Sequence, residues 1–320
     1  MLRKVLFGAF VAQSLTSLAM AQDAPNRSPY DPNVEDLTAR PPLASPDEPP
    51  MRGIHWTREF EGGRVHAGNK GEGKTPLMTY HGGKILTTTN TQAIFWGTSW
   101  PSDTSDKGTG IDSFYSGFNN SNYAKTSDEY TDTISGGHQV GPGGTYRGHI
   151  VDSQPASGGN STSAILAEVC HVITNLDVTG NGYYPVYVDL PRHGNYCGYH
   201  SAGTCGGVHV QFSFFWKLDG DPGCDPEDTS GLHSQGLAAL ANVSAHEISE
   251  ARTDPATPGA WYDVNGAENG DKCAWTFGAP LVALSNGVQW KLQGEWSNAA
   301  FLAGTGYPNA SGQKGCLSGL

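Results

Sequence analysis

The chain has 320 residues, of which 16% are charged, and its formal net charge is −12 at neutral pH. An acidic chain repels nucleic acid and anionic bilayer surfaces while attracting cations or basic partners, so no nucleic-acid partner and no membrane partner is expected. With 43 glycines, much of it should be loop.

The chain opens on a basic tetrapeptide containing Arg3 and Lys4, runs through an apolar segment from Val5 to Leu18, and reaches Ala19-Met20-Ala21. That order reads as a signal peptide over residues 1–21 with an A-x-A cleavage site. The apolar run is shorter than the roughly 20 residues a bilayer span needs. The protein is therefore expected to be secreted, and loss of Arg3 and Lys4 takes its formal charge from −12 to −14. Residues 22–74 carry Pro41-Pro42, Pro46 and Pro49-Pro50 without apolar periodicity, and read as an extended arm or propeptide. Residues 75–320 are of a size that a single core can serve, and read as one α/β domain.

Within that domain Thr91 to Trp96 predicts a strand, and Ile111, Phe114, Tyr115 and Phe118 carry helical spacing. Tyr146 to Val151 predicts a strand and Ser163 to Ile173 a helix, before strands over Tyr183 to Leu190 and Val208 to Trp216. The longest helical pattern follows, from about Gly231 to Arg252. The expected fold is a mixed sheet followed by a long zincin-like helix, with disulfide-stabilised loops. All six cysteines lie in the domain, an even number in an exported chain, which predicts three disulfides. Cys197 and Cys205 are close enough in sequence to suggest a pair. No C-x-x-C occurs, which disfavours a cysteine zinc site.

The long helix ends His246-Glu247-Ile248-Ser249-Glu250 and is stopped by Pro255. Positions i and i+4 share a helix face, so His246 and Glu250 can converge on one cation, with Glu247 beside them as general base. This resembles the H-E-x-x-H zinc helix with Glu in place of the second His. The plain alternative is that the acids are solvated and His246 caps carbonyls. The preceding face, Ala238, Ala239, Ala241 and Val243, is of a buried type, and acids pointing inward from it call for a cation. Zinc is the expected ion, with manganese or calcium as rivals because carboxylates outnumber imidazoles. Asp263 is the expected third ligand, with Glu268 and Asp271 as rivals; Asp254 precedes Pro255, where the backbone leaves the helix.

Other motifs carry less. His200, expected in a disulfide loop, is either an oxyanion donor or a fixed structural histidine. The acidic run Asp219 to Asp225 lacks the EF-hand pattern and reads as a solvated turn rather than a calcium loop. Neither a G-x-S-x-G elbow nor a P-loop occurs. Sequons stand at Asn119, Asn160, Asn242 and Asn309; Asn242 lies one helical turn before His246, so it should be unmodified if the metal binds.

Met78-Thr79-Tyr80-His81-Gly82-Gly83-Lys84-Ile85-Leu86, Ile94-Phe95-Trp96-Gly97, Trp100, Cys197-Gly198-Tyr199-His200 and Cys273-Ala274-Trp275-Thr276-Phe277 are similar to motifs of the plant EXORDIUM or phosphate-induced protein family, in the same order. The resemblance covers roughly Leu77 to Cys316. It implies a secreted protein linked to growth and no defined activity. The helix carrying His246 and the acids departs from the plant pattern and resembles a microbial branch. Two functions follow as expectations: a zinc metallopeptidase acting on protein or peptide substrates with Glu247 as general base, and a non-enzymatic extracellular binding or signalling protein of the EXORDIUM type with a structural cation site.

Overall fold

The computed structural model describes residues 48–62 and 76–320, so the expected signal peptide and most of the expected arm lie outside the described residues. Six strands build the central sheet: β1 (Arg52–Trp56), β2 (Thr89–Trp96), β3 (Gly144–Asp152), β4 (Gly182–Pro191), β5 (Tyr196–Cys205) and β6 (Val208–Lys217). Their order across the sheet is β1-β5-β6-β4-β2-β3. Neighbours from β3 to β6 are parallel, whereas β5 runs antiparallel to both β6 and β1. Parallel neighbours need crossovers. Helix α1 (Lys107–Phe118) lies between β2 and β3 in the chain, and α2 (Thr162–Val172) between β3 and β4.

Covering layers bury the central strands on both faces, which is why they read as continuous apolar runs. Tyr183, Tyr184, Val186, Tyr187 and Val188 of β4, and Val210, Phe212, Phe214, Phe215 and Trp216 of β6, are all buried. The 19-residue helix α3 (Gln235–Thr253) follows β6 and packs on β5, β6 and β1. Ser234 caps it through the Leu237 amide at 3.2 Å. Every residue from Gly236 to Thr253 is buried. A helix buried all round belongs to the interior of a fold, so the solvated reading of its acids does not hold.

Two elements depart from expectation. Residues 196–205 form a strand, not a loop, and Cys197 and Cys205 stand eight residues apart along it, about 26 Å at an extended rise. They cannot pair. The disulfides are Cys170–Cys205, Cys197–Cys224 and Cys273–Cys316, and no cysteine is free. Three disulfides fit an oxidising compartment. The second departure is in the arm, where Arg52–Trp56 joins the sheet with Met51, Ile54 and Trp56 buried. Among the described residues no helix is long and apolar enough to cross a membrane.

Candidate metal centre

His246, Glu247 and Glu250 stand on the stretch of α3 that faces β1, β5 and the loop after Tyr262, and all three side chains are buried. The i, i+4 spacing brings His246 Nε2 to 3.3 Å from Glu250 Oε2. β5 adds His200, whose Nε2 lies 3.9 Å from the same oxygen and 3.2 Å from Glu268 Oε2. Asp271 completes the group, with Oδ1 3.7 Å from His246 Nε2. Two overlapping triads result, His200/Glu250/Glu268 and His246/Glu250/Asp271, sharing Glu250.

Local structure explains how the loop reaches the helix. Gly270 lies so close that a Cβ there would stand 2.9 Å from both Glu250 Oε1 and His246 Nδ1. Its lack of a side chain allows the backbone to dock. The Asp271 amide then donates to Glu250 Oε1 at 2.8 Å, which turns Oε2 toward the imidazoles. Asp271 Oδ2 accepts from the Glu268 amide at 3.0 Å, fixing the two acids relative to each other. The Cys273–Cys316 bridge ties the segment down two residues later.

Asp263, the expected third ligand, is not in either triad. Its carboxylate accepts from the amides of Asn265 and Ala267 at 2.8 and 3.1 Å and pairs with Lys272 Nζ at 2.8 Å. An aspartate two residues before a turn amide closes that turn, and here it shapes the loop that presents Glu268 and Asp271. Asp254 is also committed elsewhere, accepting from the Ala260 amide at 2.6 Å and pairing with Arg52 at 3.4 Å. In the acidic run after β6, Asp219 pairs with Lys107 and Asp221 with Arg192.

Sequence reasoning left three residues out of the centre. His200 was weighed as an oxyanion donor or a structural histidine and not as a ligand, because Tyr196–Cys205 did not read as a strand. His55 sits in the arm, its ring centroid 4.3 Å from that of His246 and 4.5 Å from that of Trp275. Gln293 links them: its amide nitrogen donates to Gly270 O at 2.9 Å and to His246 Nδ1 at 3.1 Å, and its oxygen accepts from His55 Nε2 at 2.9 Å. Asn242, fully buried, accepts from the Gln293 backbone N–H at 2.8 Å, so a glycan has no room there in the folded chain. Only the short apolar run Ile54 to Trp56 in an otherwise Pro-rich arm hinted at packing.

Burial dominates the electrostatics. It pushes the Glu247 carboxyl well above the usual range, and the charges of Glu250, Asp271 and Glu268 push further, with the His55 backbone amide partly offsetting them. Neither Glu247 oxygen meets hydrogen-bond geometry with any described residue. Burial likewise lowers His246, against the opposing pull of Asp271 and Glu61, and holds His55 well below the ordinary imidazole value.

The donor set fits a divalent cation. Donors about 2.1 Å from a tetrahedral ion lie roughly 3.4 Å apart, and the imidazole-to-carboxylate separations here run from 3.2 to 3.9 Å. His246 Nε2 makes no hydrogen bond of acceptable geometry within the described residues. Each triad offers one imidazole and two carboxylates, a donor set that suits a divalent cation of the zinc, manganese or calcium kind. The chain matches no protein-family model, no curated protein and no solved structure.

Proposed function

We propose that this protein is a secreted metal-dependent hydrolase, a zinc peptidase in which the His246/Glu250/Asp271 triad holds the ion, with the overlapping His200/Glu250/Glu268 triad beside it. The observation that carries the reading is Glu247. A fully buried carboxyl without hydrogen-bond geometry, raised in pKa and set between a histidine and three further acids, is costly to keep. A bound zinc ion would supply Lewis-acid activation of water and of a substrate carbonyl. Beside it Glu247 acts as the proton carrier, taking a proton from the attacking water and giving it to the leaving amine. Gln293 fixes the His246 ring, and Gly270 admits the loop that brings the acids.

One observation favours the second reading, a non-enzymatic binding protein of the EXORDIUM type. With the Gln293 amide donating to Nδ1, neutral His246 carries its proton on Nε2, facing Glu250 rather than offering a lone pair. Ligation requires the Gln293 amide turned over, so that its oxygen accepts from Nδ1, at the cost of its bonds to Gly270 and Trp275.

Elemental analysis beside casein hydrolysis separates the readings. Wild type should hold about one zinc per chain, His246→Ala should lose it, and Glu247→Gln should keep the metal while hydrolysis falls by roughly 10² to 10⁴ fold. Equal metal content in wild type and His246→Ala defeats the peptidase reading.

A further inference from the structure

The strand β1 comes from the arm, yet it lies on the antiparallel edge of the sheet directly over the acids and imidazoles. Arg52 pairs with His200 and His55 with Gly198, so three steps on β1 face two on β5, a bulge around Gly53. Gly53 has φ of +46°, and a Cβ built on it would fall 1.7 Å from Glu250 Oε2 and 2.5 Å from the His200 ring. Only glycine fits there. On one side of Gly53, the Arg52 guanidinium is buried against Asp254 at 3.4 Å and against Thr257. On the other, Ile54 and His55 are buried.

We infer that the β5 edge above the triads is a peptide-binding groove, and that β1 is its resident occupant. An extended peptide added to a sheet edge gains backbone hydrogen bonds for affinity and side-chain pockets for specificity. Here the pockets define the ligand class: an extended peptide with a basic residue directed at Asp254, a glycine against Glu250 and His200, and apolar or aromatic residues after it. The inference rests on the peptidase reading for its purpose, because it names the substrate of that site, but it makes a binding claim that needs no turnover. A peptide substrate and β1 compete for one seat. The apparent affinity of any peptide then falls with the fraction of chains in which β1 is seated.

The test uses the full chain carrying Gly53→Val, which has no room for its side chain at Glu250 and so unseats β1 while leaving every proposed ligand intact. The probe is the fluorescein-labelled hexapeptide Met-Arg-Gly-Ile-His-Trp, read by anisotropy in EDTA and again with zinc. The variant should bind it roughly tenfold tighter than wild type or better, and a control peptide with valine for glycine should not bind. A folded variant that binds neither peptide, or both alike, overturns the groove. If Gly53→Val does not fold, hydrogen exchange on wild type decides: the amides of residues 52–56 should exchange about 100-fold faster than those of β6, by local release of the strand. Equal protection marks β1 as a permanent part of the sheet and overturns the inference. Peptide binding without casein hydrolysis keeps the groove and defeats the peptidase. Hydrolysis by wild type, with no peptide bound by a folded Gly53→Val, does the reverse.

Discussion

Helix α3 carries buried charge toward two neighbourhoods, and they are built on opposite principles. On one side Glu295 reaches the helix with every oxygen engaged: Oε2 accepts from Thr126 and Ser127 at 2.7 and 2.6 Å, Oε1 from Ser249 at 2.6 Å. Arg252 stands nearby, its charge opposing the rise that burial imposes on Glu295, and donates to the carbonyls of Ala124 and Gly141 at 2.9 Å. On the other side Glu247, equally buried, has neither oxygen in hydrogen-bond geometry among the described residues, and only the nearby His55 backbone amide offsets its burial. Saturated polar clusters hold a fold together, while under-satisfied ones mark places where a ligand or a reaction completes the set.

The largest effect should come from breaking the saturated cluster. Glu295→Ala strands the Ser127 hydroxyl, leaves those of Thr126 and Ser249 only their backbone carbonyls, and removes a charge that Arg252 feels, so denaturant unfolding should show a loss of about 3–5 kcal/mol. Metal content should persist in whatever fraction remains folded.

Glu247→Gln should act in the other direction and with a pH signature. Because the folded-state pKa of Glu247 is raised, the wild-type carboxyl keeps its proton above the pH at which the unfolded chain loses it. Its contribution to stability is full below the unfolded value, near 4.5, and is lost as pH rises toward the folded value. Glutamine does not titrate, so in EDTA the stability gap, variant minus wild type, should widen by about 1.4 kcal/mol per pH unit above that point. Zinc should shrink the gap, since a nearby cation favours the ionised carboxylate. A gap that stays flat with pH would place Glu247 in the saturated class.

Gln293→Glu sharpens the comparison at the imidazole. A carboxylate accepts from Nδ1–H and cannot donate to it, which sets the ligating tautomer of His246. Zinc affinity by competition with a chelator should rise roughly 10-fold or more, the size of effect such supporting partners have. Unchanged affinity would remove His246 from the ligand set.

The smallest effect on metal belongs to Asp263→Asn. Losing the Lys272 partner should cost roughly 1–3 kcal/mol of stability, and zinc stoichiometry should not move. Loss of zinc with stability intact would restore Asp263 as a ligand.

Periodicity revealed the elements with a regular apolar pattern: β2, β4 and β6, largely buried, the edge strand β3, and the three helices fall where their apolar runs are. It also brought His246, Glu247 and Glu250 together, because a helix turns sequence spacing directly into proximity. β5 was not legible, since Tyr196–Cys205 mixes two cysteines, two glycines and a histidine whose burial comes from β1 and α3 rather than from its own composition. With β5 unread, His200 was placed in a loop and not beside Glu250. β1 was masked by the prolines around it. Asp263 and Asp271 are indistinguishable as residues in an acidic loop; what separates them is a salt bridge to Lys272 and the close approach at Gly270, both long-range consequences of how the loop docks.

The bridge between Cys273 and Cys316 closes a loop of 43 residues. In the chain-entropy picture a crosslink of that span is worth about 4 kcal/mol against the unfolded ensemble. Glu268 and Asp271 stand immediately before the bridged cysteine, whereas His200, His246 and Glu250 come from the sheet and the helix. Under reducing conditions the two acids are therefore the donors least firmly held, and an ion offered then meets half a cage. On the metal reading, oxidation should set the order of assembly: cation capture should be tight only after the thiols have closed, which would keep the chain from scavenging metal before that step.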